Sequence, residues 1–284
     1  MDRLPRARPR DEGARERRGS GTDAVHAAVL ARLDALRGGV VRLLHVSDLH
    51  LGRGLGDLSR EAEQRAVTRE IIDAARELDV AMTVISGDVF DAYTPPAWAE
   101  DLFFELVDGL ARGGRRAVAV ISGNHDSGAR LAAADPLARR LGIVLAGDPG
   151  APIAGFSGSS DVVRVTPMPG APQVARVEVP GEKRPIALAL LPFLSEARVA
   201  REASAAPLPD AATEASRYAA RLTAEIAARA AARIEGAAHV LAMHQYVTGG
   251  VPSDSERRLR VGAVSDLDAS AIPVGFDYVA LGHL

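Results

Sequence analysis

The sequence contains no cysteine, and this absence excludes several kinds of chemistry. Without thiols the chain forms no disulfide, no thiolate metal site and no cysteine nucleophile. A protein without disulfides fits a reducing compartment, and we expect this one in the cytoplasm. The longest apolar runs have only the length of β-strands, so the sequence predicts no membrane-spanning segment and no membrane partner.

An excess of charge of either sign is also missing. The formal net charge is −3, from 34 Lys and Arg against 37 Asp and Glu. This balance gives no global positive field for nucleic acid, although net charge does not report local basic patches. Hydrophobic residues make up 47% of the 284 residues, which is ordinary for a globular protein and enough for a large core.

Residues 1–40 differ from the rest of the chain, and their first 21 residues contain few large apolar side chains. The segment "MDRLPRARPRDEGARERRGSG" is rich in arginine and lacks the apolar core of a secretory signal. We interpret it as a disordered extension, either a solvated tail or a phosphate-binding arm, and the interleaved acidic residues favour the tail. The following "DAVHAAVLARLDALRGG", residues 23–39, predicts one short helix that ends at the glycines.

From residue 41 onward, strand and helix patterns alternate. "VVRLLHVSD", "VAMTVISGD" and "RAVAVISGNHD" predict strands, and the segments between them have apolar residues at helical spacing. This β-α-β-α-β order predicts a largely parallel central sheet covered by helices. Further on, "DVVRVTPMPG" and "QVARVEVPG" predict a peripheral hairpin, and "PIALALLPF", "HVLAMHQ" and "FDYVALGH" predict three more strands.

Two further predictions concern helices. Residues 214–235 are rich in alanine and predict a helix. In the earlier helix "PPAWAEDLFFELVDGLARGG", we expect both Phe103 and Phe104 to face the core, because amphipathic helices bury their aromatic side chains.

Metal-ligating residue types recur where the predicted strands end. They are Asp48, His50, Asp88, Asn124, His125, Asp126, His244 and His283. Each alone has an ordinary structural explanation, such as a turn cap or a buried core histidine. Ligands of open α/β sheets, however, bind beyond the carboxyl ends of the strands, so this recurrence indicates one functional site.

The chemistry of this set suits two divalent ions about 3.5–4 Å apart, with one carboxylate between them. Asp88 is the expected bridge because a carboxylate offers two oxygens. The other ligands are expected to divide, with Asp48 and His50 on the first ion and Asn124, His244 and His283 on the second. Mixed oxygen and imidazole ligands favour manganese, iron or zinc over magnesium. Such a pair lowers the pKa of a water and clamps phosphate oxygens for in-line displacement.

His125 is left outside this ligand set. Next to a predicted ligand, it can donate a proton to the leaving oxygen or stabilise the charged transition state. We expect Asp126 to orient it.

The order D-x-H, GD, GNHD, a later His and a final GH resembles the calcineurin-like metallophosphoesterase superfamily. Within it, "LLHVSDLHLGR", "SREAEQRA", "SGDVFDAYTPP" and "SGNHDS" resemble the SbcD family of nuclease subunits. The resemblance covers about residues 41–284, which we expect to form one nuclease domain. It implies an α/β metallophosphoesterase fold, a sandwich of central β-sheets flanked by helices, with a dinuclear metal site at the carboxyl ends of the strands.

The resemblance also implies function. It indicates a Mn²⁺-dependent DNA exonuclease and endonuclease of DNA repair and recombination. The implied partners are DNA and an SbcC-like ATPase of the SMC family, with a nuclease homodimer inside a heterotetramer. It implies the same two ligand sets, and it makes His125 the catalytic histidine.

Two departures from the family pattern stand out. Met243 occupies a position where the family often has glycine, and the family's last motif, GH-x-H, is represented only by Gly282, His283 and Leu284. The second departure predicts a chain that is incomplete at its C-terminus, without the last metal ligand and the capping domain. Two alternatives stay open: a stand-alone phosphoesterase acting on nucleotides or other small phosphate esters, and a non-catalytic binding protein on the same fold.

Overall fold

The computed structural model describes residues 29–35, 39–204, 214–248 and 267–283. The strands in these ranges are β1 Val29–Ala35, β2 Gly39–Val46, β3 Met82–Ser86, β4 Ala117–Ile121, β5 Ile143–Ala146, β6 Arg164–Met168, β7 Ala171–Glu178, β8 Ile186–Leu191, β9 Ala238–His244, β10 Val247–Thr248, β11 Leu267–Asp268 and β12 Tyr278–Gly282. The α-helices are α1 Glu61–Glu77, α2 Ala97–Ala111, α3 Gly128–Ala132, α4 Asp135–Ala138, α5 Glu196–Ser204 and α6 Glu214–Ala231. Among these helices, none has the length and apolarity needed to cross a membrane.

Ten of the strands form two five-stranded sheets. The strand order is β1-β2-β3-β4-β5 in the first sheet and β12-β9-β8-β7-β6 in the second. β2 to β5 are parallel, as are β8, β9 and β12, whereas β1, β6 and β7 pair antiparallel with their neighbours. The parallel centre of the first sheet and the β6–β7 hairpin confirm the predictions made from the sequence.

The two sheets pack face to face through a shared apolar core. Leu43 and Val84 of the first sheet and Leu188 and Val240 of the second are fully buried within it. A second apolar cluster lies between the first sheet and α1 and α2, and a third lies between the second sheet and α6. The layers therefore run helix, sheet, sheet, helix, which confirms the expected sandwich flanked by helices.

α2 shows how the sequence produces one of these layers. It begins after Pro96 and ends at Arg112, which has a left-handed backbone with φ of 51°. Leu102, Leu106 and Leu110, spaced by four residues, are buried in the second cluster. Phe103 is buried with them, but Phe104 is 49% exposed. The prediction that both phenylalanines face the core is therefore wrong for Phe104, because successive helix positions point about 100° apart.

The helix predicted for residues 23–39 is wrong over Val29–Ala35, which forms β1. This strand pairs along β2, from Val29 opposite His45 to Ala35 opposite Gly39. β2 would otherwise be the edge of the sheet and would expose unpaired backbone groups. Apolar and polar residues alternate from residue 31 to residue 35, a period that suits a strand. The rest of the predicted helix, and most of the extension at residues 1–40, lies outside the described residues.

Candidate metal centre

The carboxyl ends of the central strands meet at one end of the sandwich, and the predicted site residues lie there. The amide N of Asp48 donates to the carbonyl of Gly87 at 3.1 Å, and the amide N of His50 donates to the carbonyl of Asp88 at 3.0 Å. The segments after β2 and β3 therefore run side by side. The amide N of His283, after β12, lies 3.4 Å from each carboxylate oxygen of Asp48 and so links the two sheets.

Asp88 lies at the centre of the site and is 2% exposed. Its Oδ1 is 3.4 Å from Nε2 of His244, and its Oδ2 is 3.8 Å from Nε2 of His50. Two groups of ligand atoms share this carboxylate, and the atoms within each group lie within 4.8 Å of one another. The groups are His50, Asp88 and His125, and Asp88, His244 and His283. The two oxygens of Asp88 thus face two different groups.

His244 is fully buried, and both of its ring nitrogens have partners. Nδ1 lies 2.7 Å from the carbonyl oxygen of Ser86, and Nε2 lies 3.0 Å from Oδ1 of Asn124. A carbonyl only accepts hydrogen bonds, so Nδ1 carries a proton. In the neutral ring Nε2 is then the nitrogen available to a ligand, and it faces Asp88 and Asn124.

The contact with Asp88 favours a proton on His244, whose charge then balances the buried carboxylate. Burial lowers the pKa of His244, but the contact with Asp88 outweighs burial and raises that pKa to about 9. Burial raises the pKa of Asp88, but the partner His244 outweighs it and lowers that pKa to about 2. Burial and the charge on His244 together lower the pKa of His283 to about 4. Charged Asp88 and His244 therefore lie beside a neutral His283.

The donor set fits divalent metal ions. A buried carboxylate requires a counter-charge. Within the described part of the chain, no lysine or arginine forms an ion pair with Asp48 or Asp88, and the ion-pair partners of Asp88 are imidazoles. Carboxylate oxygen, amide oxygen and imidazole nitrogen together are ligands that manganese, iron and zinc accept. A bound cation would supply the charge that the proton on His244 supplies without it.

Four of the predicted ligands have a left-handed backbone. The φ angles are 56° at Asp48, 43° at His50, 47° at Asp88 and 66° at His283. This conformation is uncommon in residues other than glycine, and it costs on the order of 1–3 kcal/mol where the surroundings enforce it. The backbone turns sharply at these positions, directly after the strands end. Such strain concentrates at functional sites, which supports the assignment of this region as the site.

Glycines next to the ligands are required by close approach of the backbone. A Cβ on Gly123 would collide with the carboxylate of Asp88, and a Cβ on Gly87 would collide with the ring of His244. Gly87 also has a φ of 91°, which residues with side chains rarely adopt. The glycines of the GD and GN pairs are therefore required, because a side chain at either position would collide with a buried ligand residue.

Asp126 does not orient His125, so that prediction is wrong. Its carboxylate is buried and accepts hydrogen bonds from three backbone amides, those of Gly123 at 2.7 Å, Phe90 at 2.8 Å and Val89 at 3.1 Å. Asp126 therefore joins the segment after β3 to the segment after β4. It holds the backbone on which Asp88 and Asn124 lie.

Asp91 has the role that the sequence analysis gave to Asp126. Nδ1 of His125 donates to the carbonyl oxygen of Asp91 at 2.9 Å, and Nδ1 of His50 lies 3.4 Å from the Asp91 carboxylate. The rings of His50 and His125 are perpendicular, with centroids 4.9 Å apart. Burial lowers the pKa of His50, but Asp91, Asp88 and Asp48 together raise it. The sequence analysis missed Asp91, and the signal that could have found it is its position three residues after Asp88 in "GDVFD".

Met243, which departs from the family pattern, lies on the side of the sheet away from the site. It is fully buried in the cluster beneath α6, together with Leu222 and Ile226. Adjacent residues of a strand point to opposite faces, so Met243 faces α6 while His244 faces the site. The departure therefore changes core packing rather than the ligand set.

Residues 41–188 match the family model described as calcineurin-like phosphoesterase. The chain belongs to this family. Similar curated proteins are named as the SbcD subunit of the nuclease SbcCD. The one from Bacillus subtilis is 33% identical over 244 residues, and the one from Rhodobacter capsulatus is 33% identical over 253 residues. Both alignments cover 86% of this chain, and they cover 56% and 58% of the respective relatives.

A shorter match has higher identity. The protein of the same name from Escherichia coli (strain K12) is 41% identical over 91 residues, which is 32% of this chain and 22% of that relative. The family resemblance expected from the motifs is confirmed. This phosphoesterase chain spans little more than half the length of the first two relatives.

Proposed function

We propose that this phosphoesterase chain acts as a nuclease of the SbcD type, which hydrolyses DNA phosphodiester bonds with two Mn²⁺ ions as a double-strand exonuclease and a single-strand or hairpin endonuclease. One observation carries the proposal. The carboxylate of Asp88 lies between two groups of ligand atoms, in a chain similar to proteins that are named nuclease subunits.

The proposed ligands divide into two sets that share Asp88. Asp48, His50 and Asp88 form one set, and Asp88, Asn124, His244 and His283 form the other. When bound, two such ions supply positive charge to phosphate oxygens and lower the pKa of a water. The two oxygens of Asp88 support the bridging role, because one faces His50 and the other faces His244.

We assign His125 a catalytic role rather than a place among the ligands, although it lies within ligand range of His50 and Asp88. Its Nδ1 is held by the carbonyl of Asp91, which leaves Nε2 for the substrate. From there the imidazolium can donate a proton to the leaving oxygen, or its charge can stabilise the phosphate in the transition state.

Cleavage of end-labelled duplex and hairpin DNA in the presence of Mn²⁺ tests the proposal. Asp88→Asn should abolish cleavage. The matched control Asp148→Asn changes a half-exposed carboxylate and should cleave at the wild-type rate. Cleavage by Asp88→Asn at the wild-type rate would contradict the proposal. Hydrolysis of a chromogenic phosphodiester without any cleavage of DNA would favour the alternative, a phosphoesterase of nucleotides or other small esters.

The proposal extends to partners. We propose that DNA ends and an SbcC-like SMC-family ATPase are the partners, that two nuclease chains form a homodimer within a heterotetramer, and that the complex works in the cytoplasm. The names of the relatives, which make each of them one subunit of a nuclease called SbcCD, support this assignment. Light scattering on the full-length protein co-expressed with the ATPase tests it, and two separate monomeric species would contradict it.

A further inference from the structure

A second polar cavity lies at the opposite end of the sandwich from the metal centre. Its volume is about 420 Å³. It is formed where the ends of α1 and α2 lead into β3 and β4, next to the turn between β7 and β8, and its charged residues are Arg112, Arg115, Arg116, Asp79, Asp161 and Glu182. β3 has five residues, so the cavity is about 17 Å from the site at the other end of the strand.

The arginines of this cavity lack partners in the described part of the chain. Arg116 is 5% exposed, and its Nη2 is buried without a hydrogen bond. No guanidinium group of Arg112, Arg115 or Arg116 forms an ion pair with a described residue. A buried donor without an acceptor costs free energy, and more when it is charged. An acceptor from outside the chain would remove that cost.

The carboxylates of the cavity are not paired with these arginines in the described part of the chain. The carboxylate of Asp79 pairs with Arg42 instead, at 2.7 Å. Burial raises the pKa of Glu182, and the charge of Asp79 adds to this effect against the opposing charge of Arg42. Asp161 is exposed and lies 3.4 Å from the hydroxyl of Ser160. The lining carries three arginines and three carboxylates, and within the described residues none of these carboxylates forms an ion pair with an arginine of the cavity.

The carbonyl groups at the C-terminus of α2 do not explain why three arginines line this cavity. Cations often follow a helix C-terminus because they interact with its last carbonyl groups. Here backbone amides already bind two of those groups. The amide of Arg112 donates to the carbonyl of Asp108 at 3.1 Å, and the carbonyl of Ala111 accepts from the amides of Gly114 at 3.0 Å and Arg116 at 3.1 Å. Because no described residue accepts a hydrogen bond from the guanidinium groups of Arg112, Arg115 and Arg116, these groups are available to another acceptor.

We propose that this cavity binds a phosphate group, either as free phosphate or as the phosphate of a nucleotide. Guanidinium groups match phosphate oxygens through paired hydrogen bonds, and three of them converge on one cavity. The cavity is larger than a phosphate and lies within the range of small-molecule sites, so it has room for the body of a nucleotide. The site is separate from the metal centre, and its occupancy does not depend on the nuclease proposal.

Calorimetric titration of the full chain with inorganic phosphate and with a nucleoside monophosphate tests the inference. EDTA is present throughout, so that phosphate does not bind through metal ions. Arg115→Ala changes an exposed arginine, and Arg116→Gln changes the buried one. We expect each variant to bind phosphate about tenfold more weakly or worse, because a hydrogen bond to a charged group is worth about one factor of ten in affinity. The control Arg69→Ala removes an exposed arginine of α1 outside the cavity and should bind as the wild type does.

The titration results that would contradict the inference differ from those that would identify the ligand. Absence of binding by both ligands, or equal binding by wild type and Arg115→Ala, would overturn the inference, even if Arg116→Gln failed to fold. Tighter binding of the nucleotide than of phosphate would support a nucleotide as the ligand, and equal affinities would support free phosphate. Glu182→Gln removes a competing carboxylate and should strengthen binding, so weaker binding by this variant would also count against the site. Cleavage of DNA in Mn²⁺ by Arg115→Ala should be unchanged.

Discussion

Replacing Asp126 should lower the free energy of unfolding more than replacing an exposed acidic residue does. Its carboxylate is 3% exposed and accepts three backbone hydrogen bonds, from Gly123, Phe90 and Val89. In Asp126→Ala these three amides lose their acceptor inside the protein. At about 1–3 kcal/mol for each unsatisfied donor, the free energy of unfolding should fall by roughly 3–9 kcal/mol. A typical domain is stable by only about 5–15 kcal/mol, so this variant approaches the limit of folding.

Asp126→Asn provides the graded comparison. The amide oxygen can replace Oδ2 and keep the bonds to Gly123 and Val89, but the amide nitrogen then faces the N–H of Phe90. The N–H of Phe90 then loses its acceptor, so we expect the free energy of unfolding to decrease by about 1–3 kcal/mol. Burial raises the pKa of Asp126 against the effect of its amide donors, and removal of the buried charge offsets part of this loss.

Urea unfolding in EDTA, followed by far-ultraviolet circular dichroism, measures both decreases without a contribution from metal. The control is Asp148→Asn, whose carboxylate also accepts a backbone amide, that of Gly150 at 2.7 Å, but is 50% exposed. Its decrease should stay below about 1 kcal/mol. A decrease for Asp126→Ala no larger than that of the control would refute the reasoning.

Three further predictions follow from single residues. Burial lowers the pKa of His45 to about 4, so the unfolded chain takes up a proton below pH 6.5 that the folded chain does not. Between pH 6.5 and 4, the free energy of unfolding of the wild type should therefore fall by about 3 kcal/mol more than that of His45→Gln. The same pH dependence of this free energy in both proteins would contradict the prediction. Asp91→Ala removes the carboxylate beside Nδ1 of His50 and should weaken Mn²⁺ binding about 10–100-fold in a calorimetric titration, whereas unchanged affinity would show that Asp91 has no such role. His125→Ala should bind Mn²⁺ with the affinity of the wild type but cleave DNA about 100-fold more slowly in single-turnover assays. Cleavage at the wild-type rate would contradict a catalytic role for His125, and loss of Mn²⁺ binding would indicate that His125 is a metal ligand.

The succession of the central strands along the chain and the convergence of the site residues could be predicted because both depend on local patterns. Apolar runs of strand length are visible in the sequence, and the carboxyl ends of parallel strands meet at one edge. Asp48, Asp88 and His244 each follow such a run directly. Their meeting at one site therefore needs only the topology, without any knowledge of side-chain contacts.

Contacts between distant segments could not be predicted in the same way. Asp126 stands beside His125 in the sequence, yet it bonds to amides of the segment after β3, and Asp91 from that segment contacts His125 instead. β1 depends on pairing with the edge of β2, and this pairing outweighed the local helix pattern. Phe104 is exposed because only one of two adjacent helix positions can face the sheet. In each case the deciding interaction joins residues that a local pattern does not connect.

The most direct test of the proposed metal centre is the number of Mn²⁺ ions bound by the wild type, His50→Ala, His244→Ala and Asp88→Asn. Calorimetric titration and element analysis after dialysis give that number. If Asp88 serves two ions, the wild type should bind two, each histidine variant should lose mainly one, and Asp88→Asn should bind both weakly. Two ions retained by Asp88→Asn with the affinities of the wild type would contradict the shared carboxylate on which the proposed function depends.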